Sequence, residues 1–130
     1  MTNNKRTVIE ALQALIADPK HDESRIEAFF ATEYQQWVDG QQLDYRSFVE
    51  HMETVKRHTR QMRLSIKSAL AENDTVFTHH AVNVEKNQHE TCEFEVFARF
   101  TLAAGKIIRC EELTRMVSGA AGDSDLGSRR

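Results

Sequence analysis

The chain reads as an α+β domain, with helices first and an antiparallel sheet after them. Two observations carry this reading. Apolar residues recur at helical spacing behind capping residues only as far as Thr59, whereas from Met62 to Val117 they alternate with polar ones. The turn formers Asn73-Asp74, Asn87-Gln88 and Gly105 divide that second stretch into four strands.

The first helix is announced by Thr7 and Glu10 as a capping box, followed by Val8, Leu12, Leu15 and Ile16 on one face. Pro19 ends it, because the residue before a proline avoids the helical region. Ser24 and Glu27 form a second box, opening a short helix that buries Ile26, Phe29 and Phe30. Residues 34–40, YQQWVDG, read as a short strand and turn ending at Gly40. A third helix starts at Asp44, with Leu43 and Phe48 as a hydrophobic staple and Phe48, Met52, Val55 and Thr59 as its inner stripe.

In the first meander strand Met62, Leu64, Ile66, Ser68 and Leu70 share one face. In the second, Val76, Thr78, His80, Val82 and Val84 do so. The third strand presents Cys92, Phe94, Val96, Ala98, Phe100 and Leu102 inward, and the fourth Ile108, Cys110, Glu112, Thr114 and Met116. Ala103-Ala104-Gly105 reads as a three-residue hairpin loop, which pairs Phe100 with Ile108. Strands this long must curve, and a curved sheet wrapped on helices leaves a cavity at its open end. The ordered domain is expected over residues 1–117, with 118–130 a polar, flexible tail.

Composition removes several classes of function. With 130 residues, 40% of them hydrophobic, the chain can build one core. A net charge of −3 gives no general attraction to nucleic acid, and no apolar run approaches the roughly 18 residues of a membrane span. The first residues, MTNNKRTVIEALQ, lack a signal peptide's apolar segment, so a cytoplasmic location and free thiols at Cys92 and Cys110 are expected. No metal and no cofactor is expected. His79 and His80 point to opposite faces of a strand, and His51 and His58 merely flank the core stripe. The basic run KRHTRQMR (56–63) is a solvated helix end, without the aromatic interleaving of a nucleic-acid surface.

One residue on the inner face is out of character. Glu112 is a carboxylate among apolar neighbours and needs a partner, a ligand or a task. The expected registers place His80 and Glu112 on either side of Val96, about 10 Å apart at Cα. The pair then suits proton transfer, or else forms a buried polar contact in which His80 or Tyr34 satisfies Glu112. Trp37, alone in a polar segment before Gly40, is expected to stack over the pocket. The pocket would be lined by Trp37, Tyr34, Met52, Thr78 and Phe94, with Val96, Cys110 and Thr114 beside Glu112 and His80.

The helix ending near Asp18, then FFATEYQQWVDG, a helix from Asp44 and above all FARFTLAAGKIIRCEELT resemble the SnoaL-like branch of the nuclear transport factor 2-like superfamily. The resemblance spans roughly residues 6–117. It implies a cone-shaped, curved antiparallel sheet wrapped around N-terminal helices, the roll also called cystatin-like, and a homodimer paired through the outer sheet face. That face carries Phe77, Phe97, Leu113 and Val117, which need cover. Members include ketosteroid isomerase, epoxide hydrolases, polyketide cyclases, dehydratases and proteins with no catalysis. The isomerase's base falls on Trp37, its buried acid on Val96 and its first-helix tyrosine near Leu12, so that set is not retained. Two functions therefore stand side by side. One is an isomerase, hydrolase, dehydratase or cyclase that uses Glu112 with His80 on a small apolar organic molecule. The other is a non-catalytic ligand-binding or scaffold module.

Overall fold

The computed structural model describes residues 3–119. Helix α1 (Asn4–Leu12) begins four residues earlier than the capping box suggested, because Asn3 caps it and accepts a hydrogen bond from the Arg6 amide at 3.0 Å. Thr7 lies inside the helix instead, its hydroxyl bonded back to the Asn3 carbonyl at 3.2 Å. The helix widens into a π turn (Gln13–Ala17) and stops at Asp18, just before Pro19. Asp22, rather than Ser24, caps α2 (Glu23–Phe29); the Ser24 amide and hydroxyl both donate to its carboxylate.

Strand β1 (Phe30–Val38) starts well before Tyr34 and turns through Asp39 and Gly40, both with positive φ, into β2 (Gln41–Asp44). Asp44 caps α3 (Tyr45–His58) as expected, its side chain accepting from the Ser47 amide at 2.8 Å. The meander follows: β3 (Thr59–Glu72), β4 (Thr75–Lys86), β5 (Thr91–Ala103) and β6 (Lys106–Ser118). The tail expected from residue 118 falls almost wholly outside the described residues.

One curved, unclosed sheet results, in the order β2-β1-β6-β5-β4-β3. Its meander and its β1–β2 hairpin are antiparallel, but β1 joins β6 in parallel, so the sheet is mixed. A parallel partner needs a long crossover, which the rest of the chain supplies. The helices cover the concave face, where Phe30, Tyr34 and Phe48 meet with ring centroids 4.8–5.0 Å apart.

Two bulges alter the expected registers. Ile66 pairs with His80 but Ser68 with His79, so Lys67 is an extra residue and the alternation inverts beyond it. Leu70, expected inside, therefore stands opposite Phe77 on the outer face, 73% exposed. The second correction concerns the β5–β6 hairpin. Its turn is two residues, Ala104 and Gly105, both with positive φ, rather than three. A bulge then absorbs Ile108, so that Ile107 faces the core and Phe100 pairs with Cys110. Glu112 thereby stands opposite Ala98, and Thr114 takes the place opposite Val96. Between β4 and β5 the expected pairing of His80 with Val96 is present.

Cys92 and Cys110 are both buried and unbridged. Their strand positions lie about eight residues apart along β5, or roughly 26 Å at the usual rise, far outside disulfide reach. Thiol reagents should label both slowly in the native state and at full rate after denaturation; fast native labelling of either would contradict this packing.

Candidate functional site

Between the concave sheet and the helices lies a cavity of about 130 Å³. Leu15 and Ile16 close one side, Phe48, Met52 and Val55 of α3 another, and the meander forms the floor. Of the residues expected there, Tyr34, Met52, His80 and Phe94 line it, as do Val96, Cys110, Glu112 and Thr114. Thr78 sits behind His80, its hydroxyl 3.0 Å from Nδ1 of the ring.

Trp37 is not in this cavity. Tyr34, Gln36 and Val38 alternate inward, which sends Trp37 to the outer face. There the Arg109 guanidinium lies 4.3 Å from its ring centroid. It borders an outer concavity of about 470 Å³ with Leu70, Phe77, Phe97 and Leu113. That hollow is larger, and half-buried Glu112 borders both, but His80, Tyr34 and Cys110 line only the inner one.

The parallel β1–β6 pairing builds the polar end of the inner cavity. Gln36 stands beside Cys110 and Val38 beside Glu112. The Tyr34 hydroxyl donates to the Gln36 side-chain oxygen at 2.7 Å. At the strand end Asp39 works as a clamp: its amide donates to the Glu112 carbonyl at 3.0 Å, and its carboxylate accepts from the Thr114 amide at 2.9 Å. Asp39 adopts φ 50° in doing so, a conformation that Asp and Asn tolerate better than most residues.

Burial pushes the Glu112 carboxyl up to about 7, the Thr114 hydroxyl holding it back and the nearby Asp39 charge adding to the rise. Thr114 donates to one carboxylate oxygen at 2.7 Å, and the Cys110 thiol approaches the other at 4.0 Å. Burial also pushes His80 down to about 4, helped by His79, so its imidazole is neutral at pH 7. The same desolvation raises the Tyr34 hydroxyl and the Cys110 thiol well above their usual ranges.

His80 and Glu112 share the cavity but are not hydrogen-bonded to each other. The partner of His80 is Thr78 and that of Glu112 is Thr114. The upward shift of Glu112 agrees, since a charged imidazole in contact would have lowered it. Two further polar side chains reach the cavity, Gln36 and His51, 4% and 5% exposed. Gln36 was accessible to pattern reading, since it follows Tyr34 by two on β1, whereas His51, expected only to flank the core stripe, lies three residues past Phe48 and reaches the cavity. Among the described residues no cluster of three His, Cys, Asp or Glu side chains could hold a metal ion, and no helix is long and apolar enough to cross a membrane.

The two shifts act oppositely on stability. Folded Glu112 holds its proton more tightly than the unfolded carboxyl, so stability falls as pH rises from 4.5 to about 7 and then levels. Folded His80 resists protonation, so stability falls as pH drops from 6.5 to about 4. Glu112→Gln removes only the first effect. Its stability relative to wild type should rise with pH across that window by on the order of 3 kcal/mol, read from denaturant unfolding at several pH values. A difference independent of pH would contradict the burial of this carboxyl.

A family model described as SnoaL-like domain matches residues 6–110, most of the chain. An uncharacterized protein of Schizosaccharomyces pombe, C11D3.04c, is 23% identical over 128 residues, covering 98% of each chain. Among solved structures, IdmH of Streptomyces antibioticus, a candidate polyketide cyclase, superposes with a TM-score of 0.74 at 10% identity, over 86% of this chain and 91% of that one. An M. tuberculosis LEH-like epoxide hydrolase superposes with a TM-score of 0.71 at 15% identity, over 85% and 81%. At such identities the structural likeness speaks for the fold alone, and it agrees with the sequence model: the chain belongs to the SnoaL-like family.

Proposed function

We propose that this protein is a proton-transfer enzyme for a small, mostly apolar organic molecule, an isomerase, hydrolase, dehydratase or cyclase with Glu112 as its acid–base group. One observation carries the reading: a carboxyl pushed up to about 7 stands at the polar end of a mostly apolar cavity, beside His80 and Gln36. With a carbonyl substrate, ionised Glu112 takes a proton from the carbon next to the carbonyl. The electron pair moves onto the carbonyl oxygen, and the protonated carboxyl returns the proton elsewhere or to a leaving hydroxyl. His80, neutral and tethered through Nδ1 to Thr78, has its Nε2 for the developing oxyanion. Cyclase and hydrolase relatives in the superfamily are consistent with such chemistry.

The alternative is a binding module. Its support is the Thr114–Glu112 hydrogen bond, which already satisfies one carboxylate oxygen as a structural buried acid requires. A thermal-shift screen of small carbonyl, epoxide and lactone compounds finds a ligand, and Glu112→Gln then separates the two readings. For an enzyme, turnover should fall about 100-fold or more while binding persists, and wild-type kcat/KM should rise with pH through about 7. Unchanged turnover in the variant would overturn the role of Glu112.

The outer face is proposed as a homodimer interface. Leu70, Phe77, Phe97, Leu113 and Val117 are 73%, 54%, 53%, 69% and 45% exposed there, an apolar patch that a second copy would cover. Sedimentation should give a dimer at micromolar concentration and a monomer for Phe97→Lys. A wild-type monomer at that concentration would refute the pairing.

A further inference from the structure

The cavity is small, divided in polarity and lined by no lysine or arginine, and these three properties together limit what it can hold. Its volume of about 130 Å³ is close to that of an engineered apolar protein cavity of about 150 Å³ that binds benzene. Its two ends differ. Val55, Met62, Val82, Val84 and Phe94 make one end wholly apolar. At the other, the side chains of Gln36, His80, Glu112 and Thr114 converge across the sheet. The floor between is Val96, and behind it Ala98 separates Thr78 from Glu112 with the smallest of side chains.

No lysine or arginine is among the described residues lining the cavity, and its one carboxyl is Glu112. A ligand carboxylate or phosphate would enter with no lysine or arginine to pair it and would face that acid, which low polarity makes costly. A neutral carbonyl or hydroxyl can instead accept from His80 or exchange a hydrogen bond with Glu112.

We infer that the substrate is a neutral molecule built on a single six-membered ring with one carbonyl or hydroxyl group, its ring against Phe94 and Met62 and its oxygen between His80 and Glu112. This rests on the proton-transfer reading for its chemistry but on the shape and charge of the cavity for its size. Fused two- and three-ring skeletons exceed the space of about 130 Å³, and ligands carrying an acid group are disfavoured by charge.

The test is a graded set of ligands measured by calorimetry and by NMR shift perturbation on the wild-type protein: 2-cyclohexen-1-one, 1-tetralone, anthrone and cyclohexanecarboxylate. The one-ring ketone should bind at least about tenfold more tightly than the three-ring ketone, and the carboxylate should not bind at pH 8. Phe94→Ala, or Val84→Ala should the first not fold, should move the preference toward 1-tetralone. Anthrone binding as tightly as cyclohexenone, measurable carboxylate binding, or no binding by any member would overturn the inference. The two readings separate cleanly. If one-ring ketones bind but none is turned over, the size limit stands and the reaction falls. If a fused-ring ketone is turned over with loss in Glu112→Gln, the reaction stands and the size limit falls.

Discussion

The register between β5 and β6 is the constraint on which the site depends. The two-residue turn at Ala104-Gly105 and the bulge at Ile108 together decide which residue of β6 meets which residue of β5. With that register Glu112 stands over Ala98, where a small side chain leaves room, and not over Val96. The inner strand also leaves the far edge of β6 in position for β1. Because β1 enters in parallel, Tyr34 and Gln36 arrive beside Cys110, and the Asp39 turn closes over Glu112 and Thr114. Slipping β6 by one residue would send Glu112 to the outer face and dismantle all of this at once.

The electrostatic character of the cavity follows from the same geometry. Two ionisable groups share a low-polarity space, and each is pushed toward its neutral form. Since one is an acid and the other a base, their effects on stability oppose between about pH 4.5 and 6.5. The fold therefore holds both at moderate cost near neutrality, with the imidazole uncharged and the carboxyl divided between its two forms. Hydroxyls do the positioning: Thr78 for His80, Thr114 for Glu112, and Tyr34 for Gln36.

The outer face is organised differently. Glu95 accepts from both His79 and Arg115 at 2.8 Å, and the His79 ring stacks on Phe97 with centroids 4.2 Å apart. Such solvent-facing pairs contribute little to stability singly. They surround a patch of apolar side chains that includes Leu70, which reached this face only because of the Lys67 bulge. One inserted residue on β3 thus enlarges the apolar surface outside while shortening the apolar stripe within.

Local chemistry determined what the sequence disclosed by itself. The helix end before Pro19, the Asp44 cap and the inward row from Cys92 to Leu102 are properties of neighbouring residues, and they follow from φ restriction, side-chain hydrogen bonding and period-two alternation. The pairing of His80 with Val96 and the place of Glu112 on the inner face, where it is half-buried, were legible on the same grounds. The bulges, the parallel partnership of β1 with β6 and the outward turn of Trp37 were decided only in the tertiary structure. An extra residue in a ladder leaves no mark on either strand alone, because it is a mismatch between two strands. Its position depends on which hydrogen bonds and packed side chains the whole sheet can satisfy together. For that reason the acid and the histidine were readable as cavity residues, while their separation onto different rows was not.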